Sequence, residues 1–211
     1  MRHIMVLNAK GGSGKTTIAI NLASYLATKG FKVGLADFDP QGSSLAWLEQ
    51  RSPARPVIHG IAGFEKGYRA PRNLDYLIMD APAAVHGKEL TALMRKAETV
   101  IVPVLPSPID MRAATNFLAE LKKNSRVANK QARIALVANR TREVTRIYGE
   151  LEAFLKKQRI PVLTHLRDSQ NYIRAADRGL GIFELAPSAT RVDRDQWQGI
   201  VRWVKSKRSQ P

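Results

Sequence analysis

Two lysines bracket a run of small residues in NAKGGSGKTTIA, residues 8–19, and their spacing is the first chemistry the chain offers. Gly11, Gly12 and Gly14 follow the apolar run IMVL (4–7) and precede a stretch of helical periodicity over 15–29. Glycine lets the backbone adopt positive φ and admits an anion with no Cβ in its path. Backbone N–H groups along Gly11, Gly12, Ser13, Gly14, Lys15, Thr16 and Thr17 then converge on that anion with a helix N-terminus behind them. Lys15 supplies the point charge for β- and γ-phosphates, and the Thr16 hydroxyl is a ligand for Mg²⁺. Glycine is the general preference five residues before Gly14, but Ala9 stands there, with Lys10 beside it. One lysine suffices for a phosphate tail. Lys10 is surplus.

Strands must carry this loop and bring carboxylates to it. IMVL (4–7), VGLAD (33–37), YLIMD (76–80), TVIVPV (99–104) and IALVAN (134–139) each read as a strand buried on both faces. Helical spacing fills 15–29, 86–97, 110–123 and 143–158 between them. The alternation predicts an α/β fold, a predominantly parallel twisted sheet with helices on both faces, as one domain over 1–211. Pro103, Pro106 and Pro108 make PVLPSPID a loop, and 205–211 reads as a frayed basic tail. Asp37 and Asp80 end strands beside the loop, where they reach Mg²⁺ directly or through its waters. An acid at a strand end also caps a following helix, so Asp37 and Asp39 keep that second role open.

Charge and composition narrow the partners. The chain carries 34 Lys+Arg against 18 Asp+Glu, a net charge of +16. Residues 112–211 hold 21 basic and 9 acidic side chains; residues 1–111 hold 13 and 9. A field so placed attracts polyanions. There is no cysteine, which excludes disulfides, thiolate metal sites, iron–sulfur clusters and cysteine nucleophiles. The expected setting is cytoplasmic.

KGGSGKTT resembles the deviant Walker A loop of the ParA/MinD family of partitioning and positioning ATPases, and the likeness extends over nearly the whole chain. VGLADFDPQGSS is similar to the family's DxDPQ segment, YLIMDAPA to its Walker B region, and PVLPSPIDMRAA to its switch-side loop. The resemblance implies a P-loop ATPase, with ATP and Mg²⁺ as cofactors, that forms a homodimer around two nucleotides. Lys10 would cross the interface to the nucleotide of the other subunit, Asp39 would position the attacking water, and Asn139 would contact adenine. As a turn residue after IALVAN, Asn139 has a plainer role open to it. Hydrolysis would be slow until a ParB-like or cargo-adaptor protein and DNA accelerate it.

The segment THLRDSQNYIRAADRGLGIFE (164–184) resembles the family's DNA-contacting stretch, with Arg167 ahead of a helix carrying Arg174 and Arg178 four residues apart. Arg191, Arg194, Arg202, Lys205, Lys207 and Arg208 extend the expected basic surface. No base-reading motif accompanies them, so the expected contacts are to double-stranded DNA phosphates, non-specific and salt-sensitive, on the nucleoid. QWQGIVRWVKSKR keeps a rival open. Trp197, Ile200, Val201 and Val204 form one helical stripe that suits either a membrane surface, as in a MinD-like ATPase, or packing on the sheet. A nucleotide-gated interaction module with negligible turnover is the third reading.

Overall fold

All five apolar runs become neighbouring strands in a computed structural model that describes residues 1–211. The chain runs β1 (Arg2–Val6), α1 (Lys15–Thr28), β2 (Val33–Asp37), α2 (Ser43–Glu49), β3 (Ile58–Ala62) and β4 (Tyr76–Asp80). It continues through α3 (Gly87–Met94), β5 (Thr99–Val104), α4 (Pro108–Lys123), α5 (Ser125–Ala128) and β6 (Arg133–Thr141). Last come α6 (Arg146–Lys157), β7 (Val162–Arg167), α7 (Gln170–Ala176) and α8 (Pro187–Lys205). The seven strands lie in the order β3-β2-β4-β1-β5-β6-β7, every pair parallel. In such a sheet the crevice for ligands opens beyond the carboxyl ends of the strands, where the order reverses about the first strand. Here that is the end of β1, which leads straight into NAKGGSGKTT.

Each sheet face has its own core. One buries 28 residues with α3, α4 and α6, the other 25 with α1, Trp47 of α2 and α8. Strand β2 is buried at all five positions, the environment its unbroken apolar run requires. Trp197 and Ile200 are fully buried and Val201 and Val204 nearly so, so the α8 stripe is spent on the sheet and is not free for a membrane. Gly199 permits this approach: a Cβ there would lie 2.0 Å from the Leu163 carbonyl oxygen.

Three expectations change. The loop expected over PVLPSPID shrinks to residues 105–107. Pro103 stays in β5 because its carbonyl faces the β1 side, where Asn8 binds it at 2.6 Å and the β1 ladder has already ended. Pro108 opens α4 as its first residue behind the Ser107 cap. The tail 205–211 is docked, not frayed. Ser209 is buried, and its carbonyl accepts from the Arg2 guanidinium at 3.2 Å and from the Thr99 hydroxyl, while Arg133 holds the Gln210 carbonyl at 3.0 Å. Finally, the basic surface is divided. Arg167 ends β7, whereas Arg202 and Arg208 sit by Val162 at its start, about 17 Å away along the strand.

Candidate functional site

The loop between β1 and α1 is braced by asparagines on both sides. Asn8, 4% exposed, donates to Pro103 and accepts from the Lys10 N–H at 3.0 Å. Asn139 donates to the Ser13 carbonyl at 2.9 Å. Gly12 and Gly14 have φ of 73° and 91°, and a Cβ on Gly14 would lie 2.2 Å from the Asn139 amide nitrogen. Only glycine fits there. Asn139, which the resemblance turned toward adenine, thus holds the loop; this bracing role was not legible from its place after an apolar run. Asn8 was missed altogether, although a polar residue directly following the buried run 4–7 was a usable signal.

The two lysines are disposed differently. Lys15 folds back along the loop, with Nζ 3.4 Å from the Lys10 carbonyl oxygen. Burial lowers its pKa, with Asp80 and Asp39 acting in the opposite direction. The Lys10 ammonium makes no hydrogen bond or ion pair within the chain, so its charge is available to something outside it.

Three aspartates approach the loop. Asp39 accepts the Gln41 N–H on Oδ1 at 3.0 Å, which fixes its carboxylate and leaves Oδ2 open. Asp37 and Asp80 are register partners on β2 and β4. Asp37, fully buried, accepts the Asp39 N–H on Oδ1 at 3.0 Å and both the N–H and hydroxyl of Ser44 on Oδ2 at 2.8 Å. These bonds tie it to the first turn of α2, the capping role that its place at a strand end left open beside the magnesium one. Asp80 Oδ1 is buried with no partner. Burial pushes its carboxyl up to about 7, against the pull of the Thr16 hydroxyl and Lys15 and with the push of Asp37 and Asp39.

These residues fit a magnesium-bound nucleotide. An unpartnered carboxylate oxygen beside the Thr16 hydroxyl, next to a loop of open N–H groups, suits a cation held together with phosphate. Beside the loop a cleft of about 320 Å³ opens between Thr17, Asn139, Tyr172, Ile173 and Asp168.

Of the arginines expected to meet DNA, Arg167 is already engaged. Its Nε and Nη2 grip the fully buried Asp193 at 2.7 and 3.0 Å. Arg174 and Arg178 are exposed and make no side-chain hydrogen bond or ion pair, but α7 ends at Ala176, so Arg178 stands on the turn beyond it. Arg194 is likewise spent, on the Phe183 and Leu185 carbonyls.

A parallel sheet with a two-lysine phosphate loop at its carboxyl edge defines a P-loop nucleotide-binding fold. The chain belongs to the family described as CobQ/CobB/MinD/ParA nucleotide binding domain, whose profile matches residues 4–182. It is 31% identical over 189 residues to the Maintenance of carboxysome distribution protein A of Halothiobacillus neapolitanus, covering 86% of this chain and 87% of that one. Over 156 residues it is 31% identical to the Chromosome-partitioning ATPase Soj of Thermus thermophilus, covering 58% of this chain and 62% of the other. In fold it is similar to the ATP complex of McdA from Cyanothece, with a TM-score of 0.72 at 16% identity over 95% of this chain and 96% of that one.

Proposed function

We propose that this protein is a positioning ATPase of the ParA/MinD type: it dimerises around two ATP molecules, binds DNA without sequence preference as the dimer, and lets go after hydrolysis. The observation that carries this reading is the pair of lysines, Lys15 turned into its own loop and Lys10 with no partner in its own chain. Two sandwiched triphosphates concentrate negative charge, and a cation supplied from the partner subunit offsets it and makes dimerisation depend on nucleotide.

The loop N–H groups and Lys15 cradle the β- and γ-phosphates. Thr16 and Asp80 would hold magnesium, which would supply positive charge against the negative charge that develops in transfer. The open oxygen of Asp39 accepts a hydrogen bond from water and orients it toward the γ-phosphorus. Thr17, Asn139 and Tyr172 border the cleft suited to the base. Arg174 and Arg178 contact DNA phosphates, giving binding that falls steeply with salt. Turnover is slow until a ParB-like or cargo-adaptor protein engages the dimer, and the cargo moves over the nucleoid.

The test is binding to a random-sequence duplex with ATP, with ADP and without nucleotide, across a salt series. Binding only with ATP, lost in Lys10→Ala and in the Arg174→Ala/Arg178→Ala pair, is the expected result. Binding that ignores nucleotide would overturn the switch. Asp39→Ala should persist as an ATP-bound dimer that the wild type leaves by hydrolysis; equal persistence would mean a nucleotide-gated module without a hydrolytic step.

A further inference from the structure

At the opposite end of the sheet a second cleft, of about 950 Å³, lies between the starts of β6 and β7, the end of α6 and the end of α8. Its length from the phosphate loop is set by β6, which runs about 20 Å from Arg133 to Asn139. Ile134, Val162, Leu163 and Trp203 give it an apolar floor. Six cations surround that floor: Lys122, Arg133, Lys157, Arg159, Arg202 and Arg208. No aspartate or glutamate is among the lining residues. Lys122 and Arg133 bind main-chain carbonyls of Gln158 and Gln210, so their charge is oriented but not cancelled. Arg159 has φ of 54° in the left-handed position that closes α6, where glycine is the unstrained choice.

Such a lining is one-sided. A rim of cations with no carboxylate attracts an anionic ligand, and the apolar floor adds a contact that charge alone does not need. Duplex DNA is a poorer occupant, because its phosphates meet the rim but it has no apolar side chain to place on the floor of Ile134, Val162, Leu163 and Trp203. A flexible acidic peptide can place carboxylates against the rim and an apolar side chain on the floor.

We infer that this cleft is the docking site for an acidic, apolar-anchored segment of a partner protein, separate from the nucleotide site. Charge complementarity selects that occupant, and the inference goes beyond the proposed ATPase cycle. The site takes carboxylates at Arg159, Arg202 and Arg208 and one aromatic or branched side chain against Val162 and Trp203. Binding does not require nucleotide.

The test is fluorescence anisotropy with a labelled dodecapeptide of alternating glutamates around a central phenylalanine. An all-polar acidic peptide, a basic peptide and a random DNA duplex serve as comparisons. Wild type should bind the phenylalanine peptide at least tenfold more tightly than the all-polar one, with or without ATP. Arg202→Glu/Arg208→Glu should lose at least tenfold of that affinity, while the exposed distant pair Lys66→Glu/Arg112→Glu should lose less than threefold. Retained ATP binding and circular dichroism would show that the variants are folded. Equal losses in both pairs would overturn the inference, since general charge would then suffice. It would be overturned equally by DNA displacing the peptide and losing as much affinity on cleft reversal.

Discussion

Strands β2 and β4 end side by side on aspartates in the same register, Asp37 and Asp80, yet the two ends do opposite work. Asp37 is saturated by N–H and hydroxyl donors and ties β2 to α2. Asp80 keeps a buried oxygen without a partner. What differs is the chain that follows. DFDPQGSS turns at once into a helix whose first N–H groups need an acceptor, whereas DAPAA leads away and offers Asp80 none. One carboxylate therefore builds the fold; the other leaves a buried oxygen that nothing in the chain satisfies.

The comparison can be broken at either end, most severely at β4. Asp80→Ala should reduce ATP hydrolysis by about 10²–10³-fold, measured as phosphate release at saturating magnesium, with no loss of stability in urea. Asp80→Asn without nucleotide should gain on the order of 1–2 kcal/mol by removing the unpartnered charge. At β2 the order inverts. Asp37→Ala should cost about 2–3 kcal/mol in urea unfolding by stripping four donors of their acceptor. A variant at Asp37 that stayed fully stable and lost only magnesium-dependent nucleotide binding would erase the distinction.

A third carboxylate sharpens it. Asp193 is buried like Asp80 but paired like Asp37: burial pushes its carboxyl up, and the bonds from Arg167 and Asn171 outweigh that and hold it below the ordinary range. A lowered carboxyl stabilises the fold at neutral pH, and that contribution is lost as pH falls below about 4. Arg167→Ala should cost about 1–2 kcal/mol at neutral pH, reduced from a fully buried pair because the arginine is partly solvated. The cost should shrink in acid, read as converging urea midpoints. Smallest of all, Arg174→Ala and Arg178→Ala should each change stability by less than about 0.5 kcal/mol, because both are exposed and unpaired.

Legibility in the sequence followed burial. The runs 33–37, 76–80 and 99–104 were read at their exact residues because strands buried on both faces leave unbroken apolar text. Strand β3, IHGIA, was not read. It lies at the sheet edge, two of its five residues are exposed, and its pattern matches neither template. Helix α2 escaped because seven residues are too few for a period to show. The phosphate loop was plain, since its glycines, lysines and threonine are chemistry written consecutively. The capping by Asp37 was one of two roles its place at a strand end left open, while the bracing by Asn8 and Asn139 and the pairing of Arg167 with Asp193 were not legible. Each depends on a partner at least seven residues away whose polarity, taken alone, says nothing about whom it meets.

Arg2 and Ser209 are bonded to each other across the start of β1. Residues 2 and 209 are thereby held side by side, and a short peptide joining their neighbourhoods would link them with little rearrangement. New ends could then be cut in the exposed turn at residues 52–56, the test of a circularly permuted chain. The same adjacency governs labelling. A reporter fused near either residue leaves from the pole behind the phosphate loop and shades the basic cleft before it can shade the nucleotide.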